Sequence, residues 1–201
     1  MKHLLTFLVG LFLFGCNSLN KTENNETETN LTKEKKSEQS VDFDKFKILK
    51  GQLGEIKIGM TISKAEKQFT GLTKKTEEAT NFGFDGGSPA YLYYSGDELL
   101  FGLIPKLETD TLLFIIAIHK NLQTTNGLNP NSTVQDLLKK YPDLTVNQDL
   151  MNGNELFQDK ANDWDFVFKT DEHTEIGDYH EMEVSSRPRR LTTKTDWIVI
   201  R

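Results

Sequence analysis

Cysteine is nearly absent: Cys16 is the single one among 201 residues. An intramolecular disulfide is therefore excluded, and whatever folds must hold together by packing. Positive charge is also short. The 24 Lys and Arg stand against 30 Asp and Glu, a formal net charge of -6, with a pI near 5.3. That balance argues against general nucleic-acid binding, which needs a basic face. It gives no electrostatic help in holding anionic lipid either. No apolar run is long enough to span a bilayer. The run at residues 4–14 is eleven residues, where a stable membrane-spanning helix needs about 20. Catalytic signatures are missing as well. There is no Gly-X-Ser-X-Gly elbow. The glycine-rich stretch 81–89, with Gly83, Gly86 and Gly87, lacks the Lys-Ser/Thr of a phosphate loop. It reads as a long turn or a binding loop.

What is present begins at the amino terminus. Lys2 and His3 precede the apolar run, which ends in Leu13-Phe14-Gly15-Cys16. This resembles the lipobox of bacterial lipoproteins: an aliphatic residue, a variable one, a small one, then cysteine. Phe14 is bulkier than the usual Ala or Ser. The resemblance implies cleavage between Gly15 and Cys16, a diacylglycerol on the Cys16 sulfur, and acylation of the new amino terminus, palmitate being an expected acyl group. One acyl chain holds a membrane marginally, whereas two or three anchor it. Asn17 follows the cysteine in place of the Asp that resembles an inner-membrane retention signal, which favours an outer membrane in a cell with two. Residues 1–15 are thus expected to be a signal peptide.

Residues 16–41 are expected to be the acylated cysteine and a disordered linker. Asn, Thr, Glu and Lys dominate it, and Leu19 and Leu31 are too few to repay the ordering entropy. A flexible stalk of about 25 residues reaches about 25–30 Å.

Residues 42–201 are expected to form a globular α+β domain. The alternation at 53–58 reads as a strand. Thr61 is placed to cap a helix that puts Ile62, Ala65 and Phe69 on one face, with Gly71 ending it. Strands follow at 91–94, after which Ser95-Gly96-Asp97 reads as a turn, and at 99–104 and 112–118. The last is nearly all apolar and reads as a central strand buried on both faces. A second helix carries Val134, Leu137, Leu138 and Tyr141, with Ser132 and Gln135 at capping-box spacing and Pro142 as its stop. Further strands are expected at 155–158, 164–168, 182–184 and 197–200. In the run 164–168, Trp164, Phe166 and Phe168 share a face with Asp165 opposite, as in a half-exposed strand.

An offset of 72 residues superposes Thr61 on Thr133, Ile62 on Val134, Ala65 on Leu137 and Phe69 on Tyr141. Cap, apolar face and exit agree together. This suggests two similar units, about 53–120 and 125–201, each a short helix packed on an antiparallel sheet. The Ile-Gly-Met-Thr segment at 58–61, with its short helix and aromatic exit, resembles the repeat start of small bacterial envelope lipoproteins and of the tandem-repeat β-lactamase inhibitor protein fold. The second copy, Asn131-Ser132-Thr133, lacks the Gly-Met. The resemblance implies α+β architecture and work done by binding other proteins.

Candidate chemistry is sparse. Ser88 and Ser95 lie near glycines in turn-like contexts. His119 ends the apolar strand and reads as a surface residue. His173 and His180 sit in the acidic stretch 171–181 and could offer imidazoles to a divalent cation, although their spacing is looser than a usual zinc pair. A solvated acidic loop is the alternative. Arg187-Pro188-Arg189-Arg190 is the dense basic patch of the chain, suited to anionic headgroups or an acidic partner, or else a solvated hairpin turn.

Three functions remain. The leading expectation is a non-catalytic, membrane-anchored envelope lipoprotein with no cofactor, binding another envelope protein or polymer. The alternatives are a membrane-tethered inhibitor or immunity protein, with 82–94 and 171–183 as plugging segments, and a metal-dependent enzyme built around His173 and His180.

Overall fold

The computed structural model of the protein describes residues 41–84, 86–181 and 184–201. Val41 packs against the core. The alternating run expected as one strand is split. Strands β1 (Ile48–Leu49), β2 (Gln52–Leu53) and β3 (Ile56–Lys57) make a small three-stranded sheet. Gly54 turns β2 into β3 at φ 56°, and a Cβ there would collide with the Lys45 carbonyl, so only glycine fits.

Helix α1 (Ile62–Glu66) starts where expected, with Thr61 Oγ1 accepting from the Lys64 amide at 3.2 Å. It is one short stretch and does not run on to Gly71. Phe69 lies beyond its end and still reaches the core. Then come β4 (Thr73–Glu78), β5 (Pro89–Ser95), β6 (Glu98–Pro105) and β7 (Leu112–Ala117). Helix α2 (Val134–Lys140) precedes β8 (Asn147–Asp149), β9 (Asn154–Asp159), β10 (Trp164–Lys169) and β11 (Trp197–Ile200). Of the strand expected at 182–184, Met182 and Glu183 lie outside the described residues.

The α2 capping box is built by Thr133 and Asp136, one residue along from the expected Ser132 and Gln135. Thr133 Oγ1 accepts from the Asp136 amide and Asp136 Oδ2 accepts from the Thr133 amide, both at 3.2 Å. The tertiary structure decides this. Thr133 bridges Lys194, which holds it extended, while Ser132 Oγ accepts from the Asn129 amide. Hydrogen bonds from Lys139 and then Thr133 hold the Asp136 carboxyl at a pKa of about 2.

Strands β4 to β11 form one antiparallel eight-stranded sheet in the order β4-β5-β6-β7-β11-β10-β9-β8. The fold is therefore α+β and dominated by antiparallel sheet. One face packs against Ile62 and Ala65 of α1, Val134 and Leu137 of α2, and the small sheet. The other carries Leu92, Ile104, Ile116, Val167, Trp197 and Val199. Strand β7 is central, with Ile115 buried on one face and Ile116 on the other. Strand β10 departs from expectation: Asp165 is buried, not half exposed. Arg201 explains it, donating Nε to Asp165 Oδ2 at 2.6 Å while lying over the Phe114 ring. Burial raises the Asp165 carboxyl pKa despite that guanidinium.

Two aromatic trios lie under the helices. Phe69 meets Tyr93 and Phe101 at 4.8 and 5.3 Å between ring centroids, and those two stack at 5.2 Å as an opposed pair across β5 and β6. Tyr141 meets Phe157 and Phe166 at 4.8 and 6.4 Å, and those two stack at 5.8 Å as an opposed pair across β9 and β10.

Candidate functional site

Residues 79–84 leave edge strand β4 and cross the second face of the sheet, and residues 86–88 lead back into β5. Ala79–Phe82 forms a 3-10 turn that Gly83 ends at φ 83°. Phe82 stands edge-on against Trp197 of β11 at 5.8 Å, and Phe84 packs on Phe114 of β7 at 4.6 Å. Gly83 then abuts the β8–β9 turn at the far edge: a Cβ there would lie 3.4 Å from Asn152 Nδ2 and 3.5 Å from Asp149 Oδ2. The glycine-rich stretch read as a loop is thus a strap. The aromatic residues that press it down, Phe82 and Phe84, were not singled out in the sequence. An aromatic every second residue ahead of the glycines was the available signal.

The strap is flanked by large apolar side chains left in water. Leu107 beside Gly86, and Leu113 beside Phe84, are 48% and 39% exposed. On the other side, Leu150 and Met151 in the β8–β9 turn are 50% and 76% exposed. Asp149 fixes that turn by accepting from the Met151 and Asn152 amides at 3.1 and 3.3 Å. A cavity of 260 Å³ opens between Phe84, Leu113, Phe114 and Arg201, smaller than the roughly 300–1,000 Å³ of ordinary ligand pockets. Under the strap Trp197 is buried, and its Nε1 finds no acceptor among the described residues.

The residues singled out in the sequence fall elsewhere. Gly15 and Cys16 lie outside the described residues. The His173 side chain is 83% exposed with Nε2 3.3 Å from Glu172, and His180 is exposed too. Among the described residues no group of three or more His, Cys, Asp or Glu is arranged to hold a metal ion. The acidic stretch is organised by Glu155, which sequence reasoning passed over. This carboxylate, 1% exposed, accepts from the Ile176 amide at 2.6 Å, the Gly177 amide at 2.8 Å and the Tyr179 hydroxyl at 2.6 Å. Burial and that hydrogen bond raise the Tyr179 pKa. A lone acid ahead of Leu156 and Phe157 in a strand was its only sequence mark.

The basic patch folds onto the same stretch. Arg189 pairs with Asp178 at 3.2 Å and donates its amide to the Ile176 carbonyl, while the Arg190 guanidinium donates to the His173 carbonyl. Neither Ser88 nor Ser95 hydrogen-bonds a histidine among the described residues. His119, expected at the surface, is covered by the Phe43 ring at 4.7 Å, with Nε2 3.4 Å from Glu98. Burial lowers its pKa, and Glu98 opposes that only in part. No described helix is long and apolar enough to cross a membrane.

No protein-family model matches the chain, and no curated protein matches it. Among solved structures it is similar to the uncharacterized protein yfeY from Escherichia coli, at 12% identity and a TM-score of 0.47, over 78% of this chain and 97% of that one.

Proposed function

We propose that the chain is a membrane-anchored, non-catalytic envelope lipoprotein, tethered through lipid on Cys16, whose folded part binds another envelope protein. The observation that carries the binding reading is the strap with Leu107 and Leu113 on one side and Leu150 and Met151 on the other. Large apolar side chains gathered around one feature mark interaction sites more often than folding needs. The lipobox and the stalk limit the partner to what lies near the membrane surface. The tether places this work at an outer membrane where there is one.

The folded part reads as two similar units, about 53–120 and 125–201. Three observations support the repeat. The caps Thr61 and Thr133 each make an antiparallel bridge to the run leading into the last strand of their unit, at Thr111 and Lys194. The strand order mirrors itself about the β7–β11 pair. Each helix exit sets an aromatic residue on an opposed aromatic pair.

The test is a photo-reactive amino acid placed at Met151 or at Leu113 in living cells. A discrete adduct with one other envelope protein at both positions, absent at Lys139, is the expected result. No adduct at either position contradicts the reading.

A further inference from the structure

The two edges of the large sheet differ. Beside β8 the chain covers one end of the edge itself, since the Val146 and Ser186 amides and carbonyls bond each other at 2.8 and 2.9 Å. Beyond β4 no described strand pairs, and all six residues Thr73–Glu78 are exposed. An open edge is a template for another strand.

The sequence of β4, Thr-Lys-Lys-Thr-Glu-Glu, is charged in a self-complementary way. Set antiparallel against itself with Thr76 on the dyad, Lys75 lies opposite Glu77 of the second copy, and Lys74 opposite Glu78. Residues directly opposed in an antiparallel pair share a face. All four charged pairs are then of opposite sign, and Thr76 faces Thr76. Shifting the pairing by two residues either way sets Lys75 on Lys75 or Glu77 on Glu77. A parallel, in-register pairing stacks like charge throughout. A strand that only guarded its edge would carry one sign and repel its copy; this one changes sign at its centre.

The backbone agrees. The Ala79 amide donates inward to the Ser88 carbonyl at 3.1 Å. By alternation Lys74, Thr76 and Glu78 point their amides and carbonyls outward. Glu78 is opposed on the inner side by Pro89, which has no amide to offer, as a non-bonded position allows. The three outward residues meet three outward residues of the second copy in this one register.

We propose that β4 pairs antiparallel with β4 of a second copy of this chain about Thr76, joining two eight-stranded sheets into one. The interface is backbone and exposed charge, so it is salt-sensitive. The charges have local partners in one copy, Lys74 on Glu66 at 2.8 Å and Lys75 over the Tyr94 ring at 4.3 Å, and keep them as they gain the facing carboxylates.

The test uses the full chain in detergent at low salt, read by sedimentation velocity. Lys75→Glu alone and Glu77→Lys alone should each weaken dimerisation roughly tenfold or more. An equimolar mixture of the two should recover the parent's affinity, because every opposed pair regains opposite sign. A short bismaleimide should link Thr76→Cys to its mate, while Thr73→Cys, about 20 Å from its own copy in this register, stays at the parent's background. Melting temperatures equal to the parent's show that both charge variants fold. A monomeric parent with no Thr76→Cys link, or a mixture no tighter than either variant alone, overturns the pairing.

Discussion

The halves of the large sheet, β4–β7 and β8–β11, solve one packing problem with the polar group moved. In the first, the apex of the aromatic trio is Phe69, and the hydroxyl sits in the strand pair on Tyr93, donating to Glu66 at 2.7 Å. In the second, the strand pair is Phe157 and Phe166, and the hydroxyl sits at the apex on Tyr141, donating to Asp159 at 2.6 Å. Each trio thus buries one tyrosine against one carboxylate. Burial first, then that carboxylate, raises both tyrosine pKa values. The edges differ more: the second half covers one end of its own with the Val146–Ser186 bridge, and no described strand bridges the first. The interior of a sheet can keep its packing while its polar groups and its edge change.

That comparison can be broken at the aromatic pairs. Phe101→Ala and Phe166→Ala should each cost about 3–5 kcal/mol in denaturant unfolding, because both rings are fully buried. Costs that differ several-fold would end the parallel between the trios. Glu155→Ala leaves two amides and a hydroxyl without their acceptor, and should cost about 3 kcal/mol. Hydrogen exchange should rise at Ile176 and Gly177 while the first half stays protected; protection unchanged there would remove Glu155 as the organiser of the acidic stretch. Tyr93→Phe and Tyr141→Phe should each cost about 1–2 kcal/mol. The second should be the larger by thermal melting, since Lys74 still serves Glu66 with a full charge, while Asp159 keeps neutral donors such as Asn162.

The smallest effect is on pH dependence. The Asp136 carboxyl titrates at about 2 in the folded chain against 3.8 in a free one. A depressed folded pKa gives stability that is complete above the unfolded value and is lost as pH falls through the folded one. Asp136→Asn should therefore flatten the loss of stability between about pH 4 and 2. The group is partly exposed, so the difference should stay under about 1 kcal/mol. Parallel acid-melting curves for parent and variant would contradict this.

Much of the folded part was legible in the sequence, for local reasons. Thr61 announces the first helix, the apolar face of Val134, Leu137, Leu138 and Tyr141 announces the second, Ser95-Gly96-Asp97 announces its hairpin, and the apolar run before His119 announces the centre of the sheet. What failed was set by distant contacts. Asp165 looked solvent-facing because Arg201, which buries it, is remote in sequence. Strand β4 carries no apolar residue at all and is a strand only because β5 pairs with it. The strap is a loop, as its glycines announce, but its course over the second face was hidden because it depends on Trp197 and Phe114. His173 and His180 stood out by residue type, yet the stretch around them hangs on Glu155, whose role shows only in three dimensions.

The tether, and with it the envelope setting of the binding surface, starts from Cys16, and the intact mass of the protein recovered from membranes is its sharpest check. The mature chain should begin at Cys16 and carry two or three acyl groups, and Cys16→Ser should shift the protein out of the membrane fraction. An unacylated chain, or a Cys16→Ser variant that stays with the membrane as the parent does, would contradict it.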